Sequence, residues 1–455
     1  LTHLRLRLTL VALALIMSTH CSHPRPKPEL HQGRHDPDSG TLLVRCGRLI
    51  DGLTNQVKQD VNVLIREGRI AAIGANIGAD ELPDVPVLDL SEYTVLPGLI
   101  DMHTHLTDRP GETADLSVYI RRSAEEQVAL GRENVRTTLL AGVTTARDVG
   151  TYIGWTDRSL RDEIDRGEIL GPRMQVSGFY LTVPGGGGDL LVPGYEEKDI
   201  PERVRLGVAR GAEDFRRKAR EAVEGGANLI KVIASGAVLA YGGVPGEPEM
   251  TPDEIRAAAE VAHEAGIKVA AHAHGARSIK EAILAGADTI EHASLIDDEA
   301  IALAIEHDVA LSMDVYNGDY IATEGRAQGW PEEFLRKNDE TTEAQRQGFT
   351  AAHEAGVAVV FGTDAAVYPH GDNAKQLSIM VERGMTPLEA IQAATSVPAR
   401  YMGWEDRVGA VEVGRFGDLI AVVGDPLSDI STLERVEVVV KGGLVFRAPA
   451  GLVGE

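Results

Sequence analysis

Two histidine pairs and three isolated residues carry most of the chemistry available to this sequence. The pairs are His103-Thr-His105 and His272-Ala-His274, and the single residues are Lys231, His292 and Asp364. With 14 histidines in 455 residues, chance alone gives roughly 0.4 His-x-His pairs per chain, so neither pair is informative by itself. Position raises both. Each pair closes an apolar run, and along a strand residues i and i+2 point to the same side. Two imidazoles on one side of a strand end form half of a metal site. Lys231 lies inside the apolar run Asn228-Leu-Ile-Lys-Val-Ile-Ala234, His292 ends Thr289-Ile-Glu-His292, and Asp364 ends Val357-Ala-Val-Val-Phe-Gly-Thr-Asp364. Singly, each has a plain structural reading as a carboxylate-paired lysine, a satisfied core histidine or the start of a turn. In chain order, as His/His, Lys, His, His and Asp, they form a dinuclear metal constellation.

The chemistry needs these residue types. Borderline divalent ions such as Zn²⁺ take imidazole nitrogen and carboxylate oxygen, and two of them about 3.5–4 Å apart need a bridging anion. A protonated lysine is a poor bridge. Buried beside cations its pKa falls, and the neutral amine adds CO₂ to give a carbamate, in effect an extended carboxylate. A water held by two such ions ionises near neutral pH, and Asp364 is the base that orients it and passes the proton on. Zinc is the expected metal, although imidazole and carboxylate also accept Mn, Co or Fe.

Such a site needs strands that end at one rim. From about residue 97 to 405 the chain alternates strand and helix patterns, and helices end at glycine just before an apolar run, at Gly142, Gly226, Gly266, Gly286 and Gly356. Glycine accepts the left-handed C-cap conformation without a Cβ penalty. Thr251-Pro-Asp-Glu254 and Thr386-Pro-Leu-Glu389 are capping boxes that start helices. Repeated β-then-α units imply a parallel sheet, and eight of them make a (β/α)₈ TIM barrel, whose active sites lie at the C-terminal strand ends. A doubly wound sheet is the alternative, but no G-x-G-x-x-G follows the early strands. Residues 41–96 and 406–455 read as short strands with turns at Glu67-Gly68 and Gly442-Gly443, which predicts a small β-sandwich built from both ends of the chain.

Composition narrows the partners. A formal charge of −24 with no compensating basic stripe argues against nucleic acid. Two cysteines make no disulfide framework and no C-x-x-C. Arg5 and Arg7 precede the apolar run Leu8 to Met17, so residues 1–21 read as a signal peptide, too short to span a bilayer. Cys21 directly follows and is a candidate lipid anchor, with His20 where such sites carry a small residue. The Pro-, His- and charge-rich stretch 22–40 reads as a linker. A secreted or periplasmic protein that forms a homo-oligomer is the expectation.

The ordered elements resemble the amidohydrolase superfamily, in the branch of prolidase-like Xaa-Pro dipeptidases, ochratoxinase and imidazolonepropionase-like enzymes. They are Leu96-Pro-Gly-Leu-Ile-Asp-Met-His-Thr-His105, Gly142-Val-Thr-Thr-Ala-Arg-Asp148, Ile230-Lys231, His272-Ala-His-Gly275, Ile290-Glu-His292 and Gly362-Thr-Asp364, and the likeness runs from about Thr41 to Phe446. It implies that His103, His105 and Asp364 hold one metal and His272 and His292 the other, with carbamylated Lys231 bridging. His274 is then a substrate contact or a runner-up ligand. Gly275 stands where deaminase branches place a catalytic glutamate, which speaks against deamination. Relatives tend to carry a histidine in a Gly-Gly-His-Gly-Asp loop; here the loop is Pro184-Gly-Gly-Gly-Gly-Asp189, with Gly187 at that place. Oxyanion stabilisation then falls to a metal and to another donor such as Tyr241 or Tyr316, with His370 a further substrate contact.

The resulting expectation is a metal-dependent amidohydrolase in which a metal-bridging hydroxide attacks an amide of a small molecule: a dipeptide, an N-acyl amino acid or an ochratoxin-type aryl amide. The same site suits cyclic amides, lactones or phosphotriesters. A non-catalytic binding barrel is the reading from another class, and it predicts missing ligands where all six are present.

Overall fold

A computed structural model describes residues 26–78 and 82–454. The expected signal peptide and Cys21 lie outside the described residues. Near the N-terminus run β1 (Leu42–Ile50), β2 (Val57–Arg66), β3 (Arg69–Gly74) and β4 (Val87–Pro97). The middle of the chain holds β5 (Leu99–Thr104), β6 (Val143–Asp148), β7 (Arg173–Val176), β8 (Tyr180–Leu181), β9 (Leu229–Ile233), β10 (Lys268–Gly275), β11 (Thr289–Leu295), β12 (Ala310–Ser312) and β13 (Val359–Val360). Near the C-terminus come β14 (Leu419–Val422), β15 (Val438–Lys441) and β16 (Leu444–Arg447).

Strands from the two ends of the chain join in one mixed sheet, in the order β16-β15-β14-β4-β1-β2-β3. The seam is the antiparallel pairing of β4 with β14, Val95 opposite Ala421 and Leu96 opposite Ile420. The seven strands share one apolar core that includes Val44, Ile65, Leu88, Val440 and Val445. The sheet's edges meet through glycines, because Gly40 N–H donates to Gly442 O (3.1 Å), Gly68 N–H to Gly40 O (3.0 Å) and Gly443 N–H to Gly417 O (3.2 Å). The stretch read as a linker is anchored from residue 30 on. His31 N–H donates to Val445 O at 2.9 Å, His35 N–H to Gly167 O at 3.0 Å, and Asp38 pairs with Arg173 at 2.5 Å.

The middle strands are parallel and form two sheets, β5-β6-β7 and β13-β12-β11-β10-β9-β8. Between β7 and β8 the chain is interrupted only at 177–179, where Gly178 takes a φ of 81°. On the other side Met102 N–H donates to Phe361 O (2.9 Å), Asp364 N–H to His103 O (2.7 Å) and His105 N–H to Ala365 O (3.0 Å), which ties β5 to the chain leaving β13. The arrangement is TIM-barrel-like. Helices follow the strands, for example Ala124–Leu140 after β5, Pro252–Glu264 after β9 and Glu332–Ala355 after β12. Their inward faces keep helical spacing, as Phe215, Ala219 and Ala222 do on the helix Ala212–Glu224. The five pre-strand glycines all have φ between 72° and 106°, and both threonine capping boxes form. No helix among the described residues is long and apolar enough to cross a membrane.

Candidate metal centre

Strand register explains how the residues converge. In β9, Lys231 pairs with Ala270 while Ile233 pairs with His272. Lys231 therefore starts two residues, roughly 6–7 Å, deeper than His272, a distance its four-carbon arm can span. In β11, Glu291 pairs with His272 and His292 with Ala273. Simple alternation would turn His292 away from the side that Glu291 faces. Left-handed backbone at His292 (φ 70°) and Ala293 (φ 47°) turns it back, and Asp364 is also left-handed at 56°. A non-glycine residue in that region costs about 1–3 kcal/mol, a strain typical of functional sites.

Three overlapping donor groups result among the described residues, and the one of His292, Asp314 and Asp364 joins the other two. His103, His105 and Asp364 place one ligand-type atom each within 4.8 Å of one another, and so do His272, His274 and His292. Asp364 Oδ1 lies 3.0 Å from His105 Nε2 and 3.4 Å from His103 Nε2. The ring of His103 is 4.9 Å from that of His292, so these groups adjoin.

Neighbours fix each ring. His103 Nδ1 donates to Glu291 Oε2 (2.8 Å), His105 Nδ1 to Gly150 O (2.7 Å) and His292 Nδ1 to Asp314 Oδ1 (3.0 Å). In the neutral ring each of these bonds keeps the proton on Nδ1 and turns Nε2 to the site, the tautomer a metal requires. His272 approaches Gly236 O with Nε2 at 3.4 Å, which leaves Nδ1 as its free donor atom, and His274 Nδ1 meets Ser294 Oγ at 2.8 Å. Asp314 also takes Gln345 Nε2 (2.8 Å) and Asn317 Nδ2 (2.6 Å). Its oxygens are occupied, so it orients His292.

Charge at the site follows from burial. Burial and the nearby Lys231 lower His103 to about 4. Burial alone would lower His105 as well, but its hydrogen bond to Asp364 and the surrounding carboxylates raise it to about 9. Burial would raise Asp364; the imidazoles of His103 and His105 hold it well below the usual carboxylate range. Lys231 is 2% exposed, burial lowers it to about 8, and its Nζ has no hydrogen-bond partner among the described residues. An unsatisfied buried amine costs about 1–3 kcal/mol or more, and this one opens on the same cavity as the donor groups.

The six residues proposed as ligands, with His274, all line that cavity; Tyr241, Tyr316 and His370 do not. Tyr241 packs on Phe334, with ring centroids 4.8 Å apart, and Tyr316 stands edge-on to Tyr368 at 4.8 Å. His370 donates from Nε2 to Asp108 O (3.0 Å), and burial lowers it to about 4. In their place the cavity has Tyr119, Tyr152, Tyr180, Asp108, Asp314 and Asn317. Tyr180 is the phenol nearest the donors, its hydroxyl donating to Gly150 O (3.2 Å) and lying 3.4 Å from His105 Nδ1. Asp314 stands just after the end of β12, where the rule that found the histidines also applies, whereas Tyr180 opens the two-residue β8.

Comparison with known proteins gives the chain's family. The amidohydrolase family model matches residues 94–445. Ochratoxinase of Aspergillus niger is 29% identical over 477 aligned positions, covering 95% of this chain and 93% of that protein. Among solved structures, a Xaa-Pro dipeptidase with methionine bound in its active site superposes with a TM-score of 0.83 at 35% identity, over 90% of this chain and 100% of that one. Crystalline A. niger ochratoxinase gives a TM-score of 0.79 at 28% identity, over 90% and 96%.

Proposed function

This chain belongs to the amidohydrolase family, and from that membership we propose that it is a metal-dependent hydrolase of amide bonds. Its substrates are dipeptide-like compounds and N-acyl amino acids, ochratoxin-type aryl amides included. The observation that carries the reading is the buried Lys231 amine, without a hydrogen-bond partner among the described residues, on the cavity that the donor groups line. The likeness to a Xaa-Pro dipeptidase and to ochratoxinase supports the substrate class, since one name is that of a dipeptidase and the other that of an enzyme acting on ochratoxin.

The residues present fit two divalent ions. His103, His105 and Asp364 would hold one, His272 and His292 the other, with His274 as the alternative donor and Lys231 as the bridge. For the bridge, the neutral amine adds to CO₂ and loses a proton, giving a carbamate. Zinc suits a set dominated by imidazole. When bound, such ions supply a water of lowered pKa and a Lewis-acidic contact for a carbonyl oxygen.

The chain's own groups do the rest. Asp364, held by Asn317 Nδ2 at 3.1 Å, takes a proton from the attacking water as its oxygen bonds to the carbonyl carbon. The same carboxyl returns the proton to the nitrogen as the C–N bond breaks, giving a carboxylic acid and an amine. Glu291 and Asp314 keep His103 and His292 in the required tautomer throughout. We take the scaffold as a (β/α)₈ barrel over 97–405 with a small β-domain from 41–96 and 406–455. The basic and apolar start of the sequence supports export.

Elemental analysis of protein purified without chelator, with hydrolysis of a panel of dipeptides and N-acyl amino acids, tests the reading. About two metal ions per chain and turnover of at least one amide are expected. No metal, and no hydrolysis after Zn or Mn is supplied, overturns it.

A further inference from the structure

The cavity over the donor groups has a second wall of different chemistry. Beyond His105 stand Tyr180, Tyr152 and Tyr119, with ring centroids 5.4 Å apart for the first two and 4.9 Å for the last two. All three line the cavity together with Asp108. Asp108 is 6% exposed. Its Oδ1 accepts from Gln127 Nε2 (2.7 Å) and Thr107 Oγ1 (3.3 Å), and its other oxygen has no partner among the described residues. Among the described residues no cationic side chain forms an ion pair with it, and the charges that act on it, His105 and Arg122, do so without a direct contact. The neighbouring acid Glu112 is neutralised by Arg122 and accepts from the Tyr119 hydroxyl, while Arg109, which also lines the cavity, is paired with Glu133.

We infer that Asp108 with Tyr119, Tyr152 and Tyr180 is an ammonium-binding subsite, and that the substrate carries a cationic nitrogen close to the scissile amide. A buried carboxylate with one oxygen left unpartnered is costly, and a ligand cation that meets that oxygen removes the cost. Aromatic faces attract a cation lying within about 6 Å of their centroids, most strongly when water is excluded. Tyr180 connects the cage to the chemistry, its ring 6.0 Å from that of His105. The substrate consequence rests on the amide-hydrolase reading; the cation site itself does not.

The test compares three substrates at pH 8: N-acetyl-norleucine, with no cation; N-acetyl-lysine, with a side-chain ammonium; and glycyl-norleucine, with an α-ammonium. At least one cationic compound is expected to exceed N-acetyl-norleucine about tenfold or more in kcat/KM, and the one that does locates the ammonium relative to the amide. Asp108→Asn, which keeps the shape, is expected to reduce that ratio about tenfold or more. Tyr152→Leu, checked for folding by its Tm, lowers it too. Equal or lower kcat/KM for both cationic substrates overturns the cage while leaving the hydrolase intact. Where none of the three is hydrolysed, calorimetry with tetramethylammonium decides: binding weakened by Asp108→Asn supports the cage, and no binding to the unsubstituted protein overturns it.

Discussion

Arg147 and Glu291 form an ion pair at 2.7 Å with side chains 1% and 0% exposed, directly beneath the metal-site histidines. The guanidinium also donates to Met102 O (2.6 Å) and Thr289 Oγ1 (3.0 Å), and the other carboxylate oxygen takes His103. Support of the barrel interior and orientation of a ligand are thus one network. Arg147→Met strands a buried carboxylate and is expected to cost about 3–5 kcal/mol, read as a lowered urea midpoint. The double variant Arg147→Met/Glu291→Leu is expected to recover much of that stability. Its metal affinity stays about 10–100-fold weaker, because His103 has lost its acceptor.

Metal removal separates Lys231 from the other donors. Treatment with a chelator is expected to lower the Tm, and added Zn or Mn to restore it, since a ligand that binds only the native state stabilises it. In Lys231→Ala the metal content falls below about two per chain, and amide turnover is lost. Short carboxylates such as acetate partly restore turnover by standing in for the carbamate. A lysine that only packs would give no such rescue.

Backbone strain near Asp364 offers a gain in stability. Ala366 has a φ of 121°, a value L-residues rarely adopt. Ala366→Gly is expected to raise stability by about 1 kcal/mol, seen as a Tm increase of a few degrees. An unchanged Tm would mean that the strain is relieved elsewhere.

Gly187 lines the cavity in the loop after β8. A Cβ there would stand 3.0 Å from Ala237 Cβ and 3.1 Å from Ala237 N, and Gly187 N–H donates to Glu249 Oε2 at 2.7 Å. Gly187→His is therefore expected to lower the Tm and not to improve Xaa-Pro cleavage. Crowding of this kind costs about 1–3 kcal/mol.

Lys441 gives a pH signature remote from the site. Burial and the Arg173 charge lower its pKa from 10.5 to about 8, and its Nζ donates to Gly171 O at 2.8 Å. Between those two values the unfolded chain binds more protons than the folded one, so this group makes stability rise with pH from about 8 to about 10.5. As pH falls through 8 that contribution is lost. Unfolding midpoints of Lys441→Met against the unsubstituted protein are expected to differ most below pH 8 and to converge above pH 10.

The proposed metal donors are legible because each lies in or closes an apolar strand run, where side-chain direction follows from alternation. His292 shows the limit of that rule. It was chosen as a strand-end histidine, yet it reaches the site only through a left-handed backbone that no periodicity encodes. Tyr241 and Tyr316 were chosen for nearness to strand ends, but past the last ladder hydrogen bond a loop decides, and it sends them against Phe334 and Tyr368. Asp108 and Tyr119 lie on the long connection after β5, which has no period to read. The terminal strands were recognised from their alternation and turns. Their joining into one sheet depends on β4 having two pairing edges, which a strand pattern does not reveal.

The β4–β14 seam also sets a timetable for the molecule's making. Leu96 and Ile420 face each other across it, yet roughly 320 residues separate them. At about 5–20 residues per second of synthesis, β1 to β4 wait for tens of seconds with one edge unpaired before β14 exists. An open edge is a template for pairing with another chain, so the last fifty residues act as the closing piece for the first hundred. Loss of β14 to β16 would leave a complete set of metal donors on a chain prone to aggregate as it emerges.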